Sequence, residues 1–220
     1  MSSAYFLTGT DTDIGKTFVA SALLYRASQS GLRTAGLKPV AAGTNAAGKN
    51  DDVEALKAAS TVALPPEIIN PYCFSPAIAP HIAAAEAGID IQFAQIAETV
   101  RQARKAADFV VVEGAGGFCV PFNVDHNGAD LAAQLGLPVI LVVGMRLGCL
   151  NHALLTAEAI AARGLLIAGW VANQIDPNMS RFAENVATLD QLLLAPRLGL
   201  LAYNPAGGPQ AAANNLHLPE

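Results

Sequence analysis

The chain has 220 residues, 52% of them hydrophobic and only 14% charged, with a formal net charge of −5 and a pI near 5.3. This length and apolar content suit one α/β domain, residues 1–220, with a large core. The acidic balance excludes a basic field for nucleic acid or anionic lipid, and no apolar run approaches the roughly 18 residues of a membrane span.

Apolar β-rich runs alternate with helical patterns along the whole chain. Strands are expected at Ala4–Thr8, Thr34–Lys38, Asp108–Glu113, Val139–Val143, Ile167–Asn173 and Arg197–Leu201. Helices are expected at Thr17–Ser30, Asp52–Ala59, Ile91–Ala107, Ala129–Leu135, Asn151–Arg163 and Met179–Leu193. Phe109–Val112 and Val139–Val143 are apolar without alternation, as in strands covered on both faces of a parallel sheet. The pattern predicts an α/β fold with a doubly wound, mostly parallel sheet flanked by helices. Gly31, Gly136 and Gly164 each follow a helix, at the place of a left-handed cap. Residues 61–80 hold five prolines and are expected to form a long ordered excursion over the surface. The tail from Pro205 to Glu220 is expected to be loosely held.

Cys73, Cys119 and Cys149 lie far apart without paired metal spacing, which reads as reduced thiols in a soluble cytoplasmic protein. The charge content lies well below the roughly 25% of typical soluble proteins, a hint that another subunit covers part of the surface. The four histidines form no metal spacing, and no serine sits on a nucleophile elbow.

The most informative stretch is Gly9-Thr10-Asp11-Thr12-Asp13-Ile14-Gly15-Lys16-Thr17. Strand, glycine-bearing loop, Gly-Lys-Thr and helix follow one another, the context of a phosphate-binding P-loop. Successive backbone N–H groups and a helix N-terminus converge there on an anion. Lys16 reaches the β- and γ-phosphates, and the Thr17 hydroxyl can sit on Mg²⁺. Thr10 takes the usual first-glycine place, because five residues separate Gly9 from Gly15.

In open parallel sheets ligands bind beyond the carboxyl ends of the strands. Besides the P-loop, that rim receives Lys38–Gly43, Glu113–Gly117, Gly144–Asn151 and Asn173. Lys38 closes a buried strand, where lysine is rare; it reads either as a snorkelling side chain or as positive charge beside a triphosphate. Its place next to a P-loop favours the second. Glu113 followed by Gly-Ala-Gly-Gly resembles a second phosphate loop headed by a metal-binding carboxylate. Asp51-Asp52 reads equally as a helix N-cap or, at Asp52, as a second metal carboxylate. Asn173 ends a strand with a carboxamide suited to an adenine edge.

Together these segments resemble the dethiobiotin synthetase family. The matching runs are residues 9–17, Gly-Leu-Lys-Pro-Val-Ala at 36–41, Asn-Pro-Tyr at 70–72 and Ser-Pro-Ala-Ile-Ala-Pro-His at 75–81. Val-Glu-Gly-Ala-Gly-Gly at 112–117, Leu-Gly-Cys-Leu-Asn-His-Ala at 147–153 and Gly-Trp-Val-Ala-Asn at 169–173 complete the set. The resemblance implies a P-loop NTPase fold and a homodimer. It also implies synthesis of dethiobiotin from 7,8-diaminononanoate, CO₂ or bicarbonate, and ATP with Mg²⁺, by way of a carbamate. By the same resemblance Lys16 and Lys38 are catalytic, and Thr17, Asp52 and Glu113 hold the metal. ATP falls to Asp13, Ile14, Gly15, Lys16, Thr17, Phe18, Asp52, Glu113, Gly114, Ala115 and Gly116. Asn173, Gln174, Ala202, Tyr203 and Asn204 fall to its base, and Lys38, Ala42, Gly148, Cys149, Leu150 and Asn151 to the diamine substrate.

Three departures stand out. Asp13 replaces a frequent glutamate, Ala42 a common substrate-contacting serine, and Leu200–Asn204 lacks the family's Ile-Pro-Trp pattern. Two other classes share the first strand and helix. A partitioning or site-selection ATPase switch usually carries a lysine early in its P-loop, and Gly9–Ile14 has none. The synthetase half of a glutamine-dependent amidotransferase needs a glutaminase domain, for which this chain is too short.

Overall fold

The structure, a computed structural model, describes residues 2–220. Six strands form one sheet in the order β2-β5-β1-β6-β7-β8, with every neighbouring pair parallel. They are β1 (Ser3–Gly9), β2 (Thr34–Leu37), β5 (Phe109–Glu113), β6 (Val139–Met145), β7 (Ile167–Gln174) and β8 (Arg197–Leu201). The expected strands are all present, within a residue or two at the ends.

Alternation along the strands sorts side chains into the layers above and below. On β1, Tyr5 and Leu7 pack on one face while Ala4 and Phe6 pack on the other; Phe109/Val111 and Val110/Val112 divide β5 the same way. One layer is built on α1 (Lys16–Gln29) and α2 (Asp51–Ala59), the opposite one on α5 (Phe93–Ala106) and α6 (Gly128–Leu135). A third cluster joins β6 and β7 to α7 (Cys149–Ala162) and α8 (Phe182–Leu192) around fully buried Trp170.

The proline-rich excursion carries more structure than the sequence announced. β3 (Val40–Ala42) pairs in parallel with β4 (Tyr72–Phe74) in a separate two-stranded sheet, with short helices α3 (Pro66–Ile69) and α4 (Pro80–Glu86) around it. Both helices start with proline in the first turn, where its missing N–H is no loss. Strands of three residues carry too little periodicity to be read from sequence.

Three expectations are corrected. The helix assigned to Asp52–Ala59 begins at Asp51 and is capped by Asn50, whose side chain accepts from Val53 N–H; Asp51 and Asp52 are its first helical residues, not the cap. The helix expected from Met179 starts at Phe182, after Arg181 adopts φ 55°. The tail is not loosely held. α9 (Gly208–Ala212) and a 3-10 turn (Ala213–Asn215) pack against α1, and Ala212, Ala213 and Leu216 are buried. Leu216 forms an antiparallel bridge with Gly199 on the edge strand, and His217 N–H donates to Leu198 O at 2.7 Å. Gly199 is required for this approach, since a Cβ there would lie 2.3 Å from Asn215 O. The Ala/Gly/Asn/Pro-rich composition hid a tail that covers an otherwise open sheet edge.

Leu216→Ala is expected to destabilise the protein by about 2–4 kcal/mol, the usual range for an emptied core leucine. Urea unfolding followed by circular dichroism measures this; a loss below about 0.5 kcal/mol, the scale of ordinary surface changes, would mean that the tail contributes nothing.

Candidate active site

β1 occupies the switch point of the sheet, because the chain leaves it first toward β2 and later crosses to β6. The crevice at its carboxyl end is where such sheets bind ligands. Gly15 caps α1 with φ 83° and no side-chain cap, so the first N–H groups of the helix stay available to an anion. Glycine is required twice over: its φ is left-handed, and a Cβ would lie 2.3 Å from Asn173 Nδ2. That Nδ2 donates to Ile14 O at 2.7 Å and braces the loop from β7. Ile14 itself is core, and Asp13 holds φ 56° beside it.

At the centre of the crevice four charged groups meet. Lys38 Nζ lies 2.5 Å from Glu113 Oε1 and 3.0 Å from Asp52 Oδ2, and it is 3.4 Å from Gly114 O. Thr17 Oγ1 donates to the same Glu113 Oε1 at 2.8 Å. Lys16 Nζ donates to Asp11 O at 2.7 Å, in the loop's own carbonyl shell. Lys38 is 5% exposed and Glu113 1%, so the snorkelling alternative for Lys38 is replaced by a buried ion pair. Burial pulls the Lys38 amine down, but Glu113 and Asp52 outweigh it and leave the ammonium favoured. Burial likewise raises Asp52, and the Lys38 ammonium, together with the Thr17 hydroxyl and the Lys16 charge, more than reverses it. Lys16 lacks so close a carboxylate: burial first, then repulsion from Lys38, push it from 10.5 down to about 8.

Three adjoining pockets share walls along the rim. The first, about 490 Å³, is lined by Phe18, Asn173, Gln174, Ala202, Tyr203 and Asn204, with Asp13 and Gly15 at its inner end. The second, about 320 Å³, holds Thr12, Lys16, Thr17, Lys38, Asp52, Glu113 and Gly116 between the two glycine loops. The third, about 530 Å³, runs from Lys38, Asp52, Ala115 and Gly116 along Val40, Ala42, Ile78 and Pro80. Most of the sequence-based site residues are thus brought together from six elements; Ile14, a core residue, and Gly114 line none of the three pockets, and one whole segment lies apart. Gly148, Cys149, Leu150 and Asn151 open α7, after a φ of 95° at Gly148, and do not line the pocket that holds Lys38 and Ala42.

Sequence reasoning missed Thr12, which lines both the second and third pockets. It also missed Asn70, whose Nδ2 donates to Lys38 O at 2.5 Å and to Tyr72 O at 3.0 Å and so fixes the backbone that carries Lys38. The Asn-Pro-Tyr run was the available signal. Arg146, half-exposed, pairs with Asp11 and ties the P-loop to the end of β6.

Glu113 Oε2 is buried and has no hydrogen-bond partner. With the Asp52 carboxylate and the Thr17 hydroxyl beside it, the donor set is all oxygen and suits Mg²⁺, which takes few protein ligands and completes its shell with phosphate and water. Among the described residues no cluster of three or more His, Cys, Asp or Glu offers a denser site.

A family model described as an AAA domain matches residues 3–211. ATP-dependent dethiobiotin synthetase BioD of Aromatoleum aromaticum is 53% identical over 98% of this chain and 97% of its own length. The protein of the same name from Pseudomonas paraeruginosa is 52% identical over 98% and 96%. The chain belongs to the ATP-dependent dethiobiotin synthetase family. With it come ATP-dependent ligase activity and a place in biotin synthesis. The Pyrococcus horikoshii septum site-determining protein MinD, solved with Mg-ADP, superposes with a TM-score of 0.58 at 14% identity, covering 96% of this chain and 86% of that one. At that identity the likeness speaks for the P-loop NTPase fold alone.

The Lys16 shift has a readout in this family's nucleotide binding. Phosphate oxygens favour the ammonium and raise its pKa. Near pH 9 most Lys16 is neutral in the free protein, so binding should take up close to one proton; near pH 6.5 it is already charged and takes up none. Calorimetry of ADP binding in two buffers of different ionisation enthalpy measures the uptake, and equal uptake at both pH values would refute the assignment.

Proposed function

We propose that this chain, acting as one ligase domain, carboxylates and cyclises 7,8-diaminononanoate with CO₂ to dethiobiotin, releasing ADP and phosphate. The observation that carries this is the run of three pockets: one lined by Phe18, Asn173 and Gln174 for the base, a charged one for phosphates, and a third opening from Lys38 whose charged inner end gives way to Val40, Ala42, Ile78 and Pro80. A switch that turns over ATP with water has no use for the third pocket, whereas a nine-carbon diamine does.

The chemistry follows the charges. One substrate amine adds to CO₂ and loses a proton, giving a carbamate. A carbamate oxygen attacks the γ-phosphorus and ADP leaves, giving a carbamic–phosphoric anhydride. The second amine attacks its carbonyl carbon, phosphate departs, and the cyclic urea is closed. Two anions must approach in the phosphoryl step, and Lys16 and Lys38 reduce that repulsion from either side. Thr17, Asp52 and Glu113 would hold Mg²⁺, which when bound supplies further positive charge to the phosphates. Gly116 and its neighbours keep backbone N–H groups next to the transferring group. Phe18, Asn173, Gln174 and residues 202–204 receive the base.

The substrate carboxylate is assigned to Gly148–Asn151, where α7 begins without a side-chain cap. This segment lies outside the Lys38 pocket of its own chain, and Leu147 and Leu155 beside it are 94% and 56% exposed. Both facts support a homodimer formed along the α7 face. Leu155→Arg is expected to convert it to monomer in light scattering; a wild-type monomer at micromolar concentration would overturn the dimer.

Phosphate release should be slow with ATP and Mg²⁺ alone and rise sharply when 7,8-diaminononanoate and bicarbonate are added together, one phosphate per cyclic urea. Lys38→Ala should lower the coupled rate roughly 10²–10³-fold, the scale for losing one preorganised electrostatic group. Equal phosphate release with and without the diamine would falsify the assignment. Ala42, half-buried in the third pocket, offers no hydroxyl. Ala42→Ser should tighten the diamine by up to ~1 kcal/mol, the net worth of a neutral hydrogen bond; an unchanged KM would mean that another group already fills the place.

A further inference from the structure

We propose that Lys38 is a built-in substitute for the metal ion. In the free enzyme its ammonium occupies the space between Glu113 and Asp52 that a divalent cation takes in the loaded enzyme, so ammonium and metal compete. This rests on the metal role proposed above for Thr17, Asp52 and Glu113.

The shell around Lys38 Nζ is that of a bound cation. Its partners are all oxygens: Glu113 Oε1 at 2.5 Å, Asp52 Oδ2 at 3.0 Å and Gly114 O at 3.4 Å. Glu113 Oε1 also accepts from Thr17 Oγ1, so the ammonium holds the very oxygens a metal would need. Glu113 Oε2, buried beside them, is left unpartnered. A metal held by these same oxygens would take partners from the ammonium.

Charge balance decides when the exchange occurs. Lys16, Lys38, Asp52 and Glu113 together sum to zero, and three of the four are nearly fully buried. A divalent cation added alone would leave two uncompensated positive charges in a partly desolvated site, which is strongly unfavourable. Added with a triphosphate, it brings its own counter-charge. The ammonium, once displaced, must also find an anion. Its backbone cannot follow, because Lys38 N–H donates to Ile69 O and Lys38 O accepts from Asn70. The flexible stem alone must turn, and the second and third pockets it lines are those assigned to phosphate and substrate. The free enzyme therefore holds the lysine locked, and loading with metal and nucleotide turns its charge toward the reacting groups.

The test is Mn²⁺ binding to the nucleotide-free protein, followed by the electron paramagnetic resonance signal of the free ion. Lys38→Met, checked for folding by circular dichroism, should bind Mn²⁺ roughly tenfold more tightly than wild type, because a competing charge has gone. Adding Glu113→Gln should abolish the gain. Equal or weaker Mn²⁺ affinity in folded Lys38→Met would overturn the competition.

Wild-type protein gives a second measurement that needs no variant. Acetylation of Lys38 by acetic anhydride, quantified by mass spectrometry, should rise several-fold when Mn²⁺ and ADP are saturating together, while exposed Lys49 and Lys57 keep their rates. An unchanged Lys38 rate would likewise overturn it. The metal assignment is checked separately: Glu113→Gln should weaken Mn²⁺ binding in the presence of ADP. If it does and Lys38→Met shows no gain, the competition alone fails. If Glu113→Gln leaves Mn²⁺–ADP affinity unchanged, the metal assignment fails with it.

Discussion

Lys38 with Glu113 is the pair on which the rest of this site depends. A lysine and a glutamate buried together are favourable only when their remaining hydrogen-bonding capacity is met. Here Thr17 shares the glutamate oxygen, and Asp52 shares the ammonium. These four residues come from α1, the end of β2, the start of α2 and the end of β5. The ion pair therefore sets how the P-loop helix, the edge strand and the central strand sit against one another. Asn50, capping α2 and donating to Gly43 O, and Asn70, holding the Lys38 carbonyl, fix the two loops that would otherwise let the pair drift.

The difference between the two lysines follows from the same arrangement. Lys38 faces two carboxylates and stays charged. Lys16, buried in the loop against a carbonyl, is pushed down by burial and by Lys38 itself. In the proposed loading, an incoming triphosphate relieves that penalty at Lys16, while the metal that accompanies it competes with Lys38 for the two carboxylates. In the proposed reaction, binding energy is thereby directed into charge arrangement at the reacting end of the nucleotide, where it counts in the transition state.

Much of this was legible in the sequence because it depends on strong local signals. Unbroken apolar runs at Val110–Val112 and Val139–Val143 gave the buried parallel strands, and Gly15-Lys16-Thr17 gave the phosphate loop. Rim residues followed from the rule that strands deliver their carboxyl ends to one side. What stayed hidden rests on long-range contacts that local pattern does not carry. The Asn50 cap was overlooked beside the more conspicuous Asp51-Asp52. The three-residue strands β3 and β4 stabilise each other and have no period of their own. The tail reads as loose because Ala, Gly and Asn are weak signals, yet Leu216 and Gly199 close the sheet edge by shape. The distance between Gly148–Asn151 and the Lys38 pocket could not be read at all, since both follow strands whose ends share one rim.

That last separation bears on how the fold divides its labour. P-loop proteins that use water need only the phosphate cradle and a positioned solvent molecule. This chain adds a second small sheet, β3-β4, which follows β2 through Lys38 and Pro39 and returns to β5 through α4 and α5. Val40, Ala42, Ile78 and Pro80 from that addition build the third pocket directly beyond Lys38. Lys38 lies on the short connection between β2 and β3, with its side chain in both the second and the third pocket. Anchoring Lys38 through its backbone to Ile69 and Asn70, both on the segment between the two small strands, gives the substrate pocket and the phosphate pocket a common frame.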